Sequence, residues 1–422
     1  MQEKFIIKGK QKLDGTLSVS GTKNEALKVI PACLLTQEKC VAKNIPDIVD
    51  VRAMLDILKD IGADVKKIED HHFEITCGKS ITNKLPEAKV AAQRASIMLV
   101  GPLLARFGEV SFPHPGGCVI GKRPIDLFLE FYKQMGVSIA VHDSHYQMSV
   151  DKLQGIDYIF PRVSVTGTES LILAGCLAEG ETIIRNAAME PEIEALAEIL
   201  NDAGAKIIGA GTPTISIKGV AKLNGFNAVM LPDRIECGTF AIMGVATNSH
   251  LKIENCRPDH LGILWSHLEK MGAKFKLSED SVEILPTDKP LKAQDIHTHE
   301  YPGFVTDLQA PFTVLLTQTT GMSLVHETIY EGRLFYVDAL NTMGGKIIMC
   351  DPHRVVFDGP MHLYGRKVVS PDIRAGIALV IAAMIAEGDS EISNVHLIDR
   401  GYENIEERLK AVGAEIERVS IC

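Results

Sequence analysis

The chain repeats itself six times, and that constrains its fold more than any other feature. Six segments each read as an amphipathic helix, a stop built of Gly and small residues, and a short β-prone run. Their stop glycines are Gly62, Gly136, Gly204, Gly272, Gly344 and Gly413. They recur every ~70 residues, the kind of fixed period that marks repeated supersecondary units. Each glycine stands where a helix needs a left-handed residue before the chain reverses. A second series interleaves with the first, in which small and apolar residues run all round the helix, as in TESLILAGCLAEG and RAGIALVIAAMIAEG. A helix with no polar face is buried. Each repeat therefore predicts one buried helix, one surface helix and several strands. Six repeats around one axis would make a large ring, and two groups of three would make two domains with three-fold pseudosymmetry. The buried helices favour the second, because three of them can bundle behind sheets.

Composition bounds what such a chain can do. Its 422 residues suit two or three domains, and 46% hydrophobic against 23% charged residues excludes a disordered or fibrous chain. With aromatics at 5%, the core must be mostly aliphatic. The net charge of −10 argues against the broad basic face that nucleic acid or an anionic membrane needs, yet leaves room for a local anion pocket. Nine scattered cysteines without a CxxC pair read as free thiols in a reducing compartment. The N-terminus lacks the apolar core of a signal peptide. The longest apolar runs, such as residues 375–386, fall short of the ~18–20 needed to span a bilayer. A soluble, cytoplasmic protein is expected.

Polar groups gather where the buried helices begin: Lys23 and Asn24, Arg94, Thr168 and Glu169, Glu236, Asp307, and Asp372 with Arg374. Arg123, Arg333 and Arg400 are expected to open surface helices in the same way. A helix N-terminus favours anions, so a cation there costs ~0.3–1 kcal/mol. Two cations brought within ~6 Å repel by nearly ~3 kcal/mol at an effective dielectric of 20. Taken singly, each Arg reads as a solvated cap or a surface ion pair. Placed alike in repeated units, the set points to phosphate or carboxylate ligands. Cys118, in PHPGGCVIGKRPID, lies in a Pro- and Gly-punctuated loop with Lys122 and Arg123 close behind. Those cations favour its thiolate and make it a candidate nucleophile or acid. Cys33, Cys176 and Cys237 sit among apolar neighbours and read as inert. HTHE (297–300) has metal-ligand residue types but no spaced third ligand, so no metal is expected. No P-loop or strand–GxGxxG–helix pattern supports ATP or dinucleotide binding, and no cofactor is expected.

Ten segments together resemble the enolpyruvyl transferases nearly end to end: GTKNEAL (21–27), RASIMLVGPLLARFG (94–108), PGGCVIGKRPID (115–126), SVTGTES (164–170), EPEI (190–193), LPDRIECGTF (231–240), YPGFVTDLQ (301–309), EGR (331–333), DIRAG (372–376) and DRGYENIEERL (399–409). The Cys loop followed by RPxD is the most specific, and it points to the branch of the family that uses a nucleotide sugar as acceptor. The resemblance implies an α/β fold, a two-domain inside-out α/β barrel of six βαβαββ-type repeats. One domain would span residues 22–231 and carry the Cys loop. The other would join residues 1–21 to 232–422 and carry the candidate base, with the active site in the cleft between them. The implied reaction moves the enolpyruvyl group of phosphoenolpyruvate to the 3′-hydroxyl of UDP-N-acetylglucosamine and releases phosphate, the first committed step of peptidoglycan synthesis. The implied partners are these two small molecules, with no nucleic acid, no membrane and no obligate protein partner.

By the same resemblance, Cys118 matches the family's loop cysteine, which acts as acid or bonds covalently to the phosphoenolpyruvate-derived group. Fosfomycin, an epoxide mimic of phosphoenolpyruvate, alkylates that cysteine in the family. Asp307 matches the base. Lys23, Arg94, Arg123, Arg333, Arg374 and Arg400 match the cations around phosphate, carboxylate and tetrahedral intermediate, with Lys23 and Arg400 counted among the catalytic set. Asn24 matches a contact to sugar and intermediate. Ser164, Val165 and Thr166 match a diphosphate cradle with Arg162 beside it. Arg123, Pro124, Ile125, Asp126 and Leu127 match the segment lining the uridine, and Ile329 and Asp372 complete the substrate contacts. Four positions depart from the family pattern. Phe128 stands for a usual His or Gln and Arg162 for Lys. Val305 stands for the Pro before Thr306-Asp307, which loosens that loop, and Met189 for Arg.

Two other readings stay open at this point. One is the sister chemistry on a shikimate phosphate, which the Cys118 loop and the RPID segment disfavour. The other is a non-catalytic nucleotide-sugar sensor, which has no need of both Cys118 and Asp307.

Overall fold

All six stop glycines adopt positive φ, from 90° at Gly272 to 103° at Gly62. Gly272 closes the helix Gly262–Met271 in the left-handed conformation that only a residue without Cβ adopts cheaply. The computed structural model describes residues 2–114 and 125–421. These fold as two units, a split unit of residues 2–20 and 232–421 and an inserted unit of residues 21–114 and 125–231. Each unit has its own aliphatic core, one running from Ala26 to Met230 and the other joining Phe5–Val19 to Ile235–Ile416.

Both units follow one plan, an inside-out α/β barrel with helices within and three sheets outside. In the split unit the helices Arg234–Ala246, Gln309–Leu316 and Ile373–Ile385 pack on one another, and the last is buried from Arg374 to Met384. The inserted unit buries Lys23–Ala32, Val100–Phe107 and Val165–Gly175 in the same manner. Strands alternate buried and solvated residues, as Lys39–Lys43 and Glu181–Arg185 do, because each sheet covers the helices with one face only. No helix among the described residues is long and apolar enough to cross a membrane.

The βαβαββ repeat is clearest between residues 157 and 218. Strand Asp157–Ile159 leads through helix Val165–Gly175 to the parallel strand Glu181–Arg185. Helix Pro191–Asp202 and the antiparallel strands Ile207–Ile208 and Thr214–Lys218 complete it. Where the chain passes between units, the opening strands are exchanged. Strand Asp14–Ser18 precedes the first helix of the inserted unit yet pairs in parallel with His250–Glu254 of the split unit. Strand Asn227–Val229 precedes the first helix of the split unit yet pairs with Lys39–Lys43 of the inserted one. The N-terminal strand Gln2–Ile7 fills the last repeat, antiparallel to both Ser390–Ser393 and Ile416–Ile421. Gly21 lies with the inserted unit, one residue before the expected boundary.

Candidate active site

In the split unit the carboxylate of Asp307 is the meeting point. Asp307 lies in a 3-10 turn, Thr306–Leu308, that feeds the buried helix Gln309–Leu316. Its Oδ1 takes an ion pair from Arg333, and its Oδ2 accepts from Arg374 Nη2 at 3.0 Å. Both guanidiniums are buried, Arg333 at 4% and Arg374 at 6% exposure, while Asp307 stays half-buried. Burial is the largest single influence and pulls the pKa of each Arg down, but Asp307 together with Asp372 and Glu327 at Arg333, and with Tyr402 and Asp233 at Arg374, leaves each raised. Both therefore stay charged in a place that water barely reaches. The Arg333 Nε has no hydrogen-bond partner among the described residues. A buried donor without an acceptor is costly, and an incoming anion would satisfy it.

Neighbouring groups orient these charges. Arg374 is the second residue of its helix, where a cation opposes the macrodipole. Asp372 offsets this by capping the same end, its Oδ1 accepting from the Arg374 and Ala375 N–H groups at 2.8 and 3.0 Å. Arg374 Nη1 also donates to the Tyr402 hydroxyl at 3.1 Å, and Tyr402 shares a hydrogen bond of 2.9 Å with Thr239. Tyr402 and Thr239 lie in the family-like segments 399–409 and 231–240 but are not singled out by sequence, since neither residue type marks an active site by itself. Two sequence expectations need correction. Arg333 lies in the turn of residues 331–336 rather than at the first residue of a helix, and Arg400 ends the 3-10 turn Val395–Arg400. The half-buried Ile329 places its N–H on Glu327 Oε1 at 2.9 Å.

In the inserted unit, Lys23 opens the helix Lys23–Ala32 and pairs with Asp50 at 2.7 Å. Asp50 sits in the first turn of helix Val49–Asp60, so the anion favours one helix while relieving the cation on the other. Asn24 and Arg94 are half-buried, and Arg94 begins the 3-10 turn Arg94–Leu99. Ser164 caps the helix Val165–Gly175, its Oγ accepting from the Gly167 N–H at 3.1 Å. Val165 and Thr166 form the first turn, half-buried, and Arg162 is exposed. Asp126, exposed, and Leu127, half-buried, start the helix Asp126–Gln134 behind a buried Ile125. Phe128 is buried, its ring packed 5.6 Å from Phe131, so it serves the core. Cys118, Lys122, Arg123 and Pro124 lie outside the described residues.

Some chemical candidates prove to be architectural. Glu236 is paired with Arg408 Nη2 at 3.0 Å and accepts the Ser20 N–H at 2.7 Å. Thr168 Oγ1 accepts the Ala188 N–H at 3.1 Å, and Glu169 is paired with Lys28 at 3.2 Å inside the unit. Cys33, Cys176 and Cys237 are buried free thiols, and burial pushes Cys176 up to about 12. His297 meets His326 with Nδ1 atoms 3.3 Å apart, but no group of three metal-type ligands occurs among the described residues.

Two barrels of three repeats, with a carboxylate between buried guanidiniums in one of them, define an enolpyruvyl transferase. Residues 7–409 match the family EPSP synthase (3-phosphoshikimate 1-carboxyvinyltransferase), and the chain belongs to it. A UDP-N-acetylglucosamine 1-carboxyvinyltransferase 2 of Carboxydothermus hydrogenoformans is 44% identical, with 99% of this chain and 100% of that one covered. A UDP-N-acetylglucosamine 1-carboxyvinyltransferase of Koribacter versatilis is 42% identical, with 99% and 96% covered. Within the family the chain belongs with these UDP-N-acetylglucosamine 1-carboxyvinyltransferases. Among solved structures, the enolpyruvyl transferase NikO of Streptomyces tendae shares the fold over 100% of both chains, with a TM-score of 0.90 at 22% identity. EPSP synthase of Acinetobacter baumannii shares it with a TM-score of 0.76 at 18% identity, again over 100% of both chains.

Proposed function

We propose that this chain transfers the enolpyruvyl group of phosphoenolpyruvate to the 3′-hydroxyl of UDP-N-acetylglucosamine. In the addition step the sugar oxygen bonds to C2 of phosphoenolpyruvate, its proton passes to a base, and C3 takes a proton from an acid. In the elimination step the tetrahedral intermediate loses phosphate from C2 and a proton from C3, which restores the double bond. The chemistry needs one base, one acid and cations for the phosphate and carboxylate.

The observation that carries this reading is the half-buried Asp307 carboxylate held between Arg333 and Arg374. Asp307 is the base in this account. Both of its oxygens are engaged by guanidiniums in the free chain. A phosphate or carboxylate that competes for those guanidiniums frees a carboxylate lone pair for the sugar hydroxyl, so anion binding readies the base. Lys23, Arg94, Arg123 and Arg400 join the two arginines as the cationic set, and Asn24 contacts the sugar. Arg162 and Ser164–Thr166 hold the diphosphate. Residues 123–127 line the uridine, and Ile329 and Asp372 complete the substrate contacts. Cys118 supplies the acid, and its alkylation by fosfomycin is expected to stop turnover. A place in peptidoglycan synthesis, in the cytoplasm, belongs to the same reading.

Phosphate release from phosphoenolpyruvate tests it, with UDP-N-acetylglucosamine and shikimate-3-phosphate compared as acceptors. Release with the nucleotide sugar alone supports the proposal. Release only with the shikimate phosphate, or with neither, overturns it.

A further inference from the structure

Glu327 is a carboxylate that no step above uses. It follows strand Gly321–His326 and is 0% exposed. Its Oε1 accepts from Thr298 Oγ1 at 3.1 Å and from the N–H groups of Ile329 and Tyr330 at 2.9 and 3.1 Å. Its Oε2 accepts from Thr306 Oγ1 at 2.8 Å. All four donors are neutral. A buried carboxylate is expensive, and this one is tolerated because its lone pairs are so fully used.

The donors come from two separate segments. Thr298 and Thr306 belong to the segment that carries Asp307, and Ile329 and Tyr330 to the segment that carries Arg333. The Tyr330 carbonyl accepts the Arg333 N–H at 3.2 Å, and Arg333 in turn pairs with Asp307. A closed ring therefore runs from Glu327 through Thr306, Asp307, Arg333 and Tyr330 back to Glu327. The Asp307–Arg333 pair and the Glu327 hydrogen bonds both join the two turns. When an anionic substrate draws Arg333 away, that ion pair opens. Thr298 and Thr328 still join the segments at their far end, and the Glu327 carboxylate is the link that reaches Thr306, next to Asp307. The Thr306 hydroxyl, one residue from Asp307, is the side-chain anchor of this turn on Glu327.

We propose that Glu327 is a positioning residue for the transfer reaction, fixing the Asp307 turn against the Arg333 turn while substrate occupies the arginines. The proposal rests on the reading of Asp307 as the base. Because the link matters most once the ion pair has opened, its loss is expected in kcat rather than in KM.

The decisive comparison is Thr306→Val against Thr306→Ser, with steady-state kinetics and thermal melts on the full chain. Thr306→Val removes one hydroxyl and keeps the side-chain shape, and its kcat should fall ~10- to 100-fold, the scale of a small misplacement of a catalytic group. KM for both substrates should stay within ~3-fold, because misplacing the base without removing a substrate contact leaves ground-state binding alone. Thr306→Ser keeps the donor and should recover kcat to within ~3-fold of wild type. Glu327→Gln keeps one oxygen for three donors and can donate its amide to Thr306 Oγ1, so it should stay well above Glu327→Ala. If Glu327→Ala does not fold, the Thr306 pair carries the test. A Thr306→Val enzyme with wild-type kcat, a loss seen in KM alone, or a Ser variant as impaired as the Val variant overturns the proposal. A wild-type chain without transfer activity overturns the functional reading and this proposal with it, whereas an active wild type with an unaffected Thr306→Val overturns this proposal alone.

Discussion

Arg374 reaches a single oxygen of Asp307 with two nitrogens, Nε at 3.1 Å and Nη2 at 3.0 Å, and sends its remaining nitrogen, Nη1, to Tyr402 at 3.1 Å. The planar fork of a guanidinium fits this arrangement, and the point charge of a lysine could not reproduce it. The Arg is thus held from both sides, by a carboxylate and by a phenol.

Replacing Asp307 by Asn leaves two buried guanidiniums without their counter-ion. Urea unfolding should show a loss of about 2–3 kcal/mol, near the low end for breaking a buried pair because Asp307 is partly exposed. Turnover should fall by ~10²-fold or more if Asp307 is the base. Inorganic phosphate should raise the melting temperature of this variant more than that of wild type. An equal rise in both would count against an anion site at these arginines.

Tyr402→Phe keeps the ring and removes the acceptor for Arg374 Nη1. The Thr239 hydroxyl stays satisfied, since it also donates to the Ile235 carbonyl at 2.8 Å. The loss should be about 1.5–3 kcal/mol in denaturant unfolding, the worth of a hydrogen bond to a charged group. Catalytic efficiency with phosphoenolpyruvate should fall as well, because Arg374 then has one less constraint. Unchanged stability and efficiency would show that the phenol is only packing.

Glu169 makes the inserted unit sensitive to pH. Burial pushes it up to about 8 from an ordinary 4.5, helped by Glu192 and Glu190 and opposed by Lys28. Glu25 moves likewise to about 8, mainly through burial, with Glu192 and Glu169 adding to it and the Leu231 N–H and Lys28 opposing. The folded chain holds protons there that the unfolded chain releases. The stabilisation is full below about pH 4.5 and is lost as pH rises toward about 8. Each group steepens the fall by up to ~1.4 kcal/mol per pH unit. Urea unfolding at pH 5.5, 7 and 8.5 should show wild type losing stability relative to Glu169→Gln, and parallel curves would refute this.

Gly272 and Gly62 separate backbone strain from crowding. A Cβ on Gly272 meets nothing within 4 Å, so Gly272→Ala should cost only the left-handed conformation, ~1–2 kcal/mol. A Cβ on Gly62 would lie 2.6 Å from the Ser80 carbonyl oxygen, so Gly62→Ala should cost at least ~1 kcal/mol more. Equal losses in chemical denaturation would mean that the Ser80 segment yields freely.

Much of the architecture is written locally. A glycine that ends a helix and a helix without a polar face each declare themselves within about a dozen residues, which is why six stop glycines and six buried helices can be read from the chain. The family and its chemistry are legible for a similar reason, since GTKNEAL, the RPID segment and DIRAG each lie in one short stretch. Pairings at long range are another matter. Nothing local says that strand Asp14–Ser18 will pair with His250–Glu254 instead of remaining with the helix that follows it. Glu236 and Glu169 looked like site residues in sequence because they start buried helices, as Asp307 does. Only packing separates them, giving the first to Arg408 and the second to Lys28. Glu327 was invisible because a lone Glu after a strand has no pattern. Its meaning comes from four donors that folding brings to it. The sequence by itself determined the repeat, the buried helices and the kinds of charge available, because helix ends and hydrophobic faces are short-range properties. Only the tertiary structure decided which charges meet, because Asp307, Arg333 and Arg374 are distant in the chain and share an ion pair only where the fold brings their segments together.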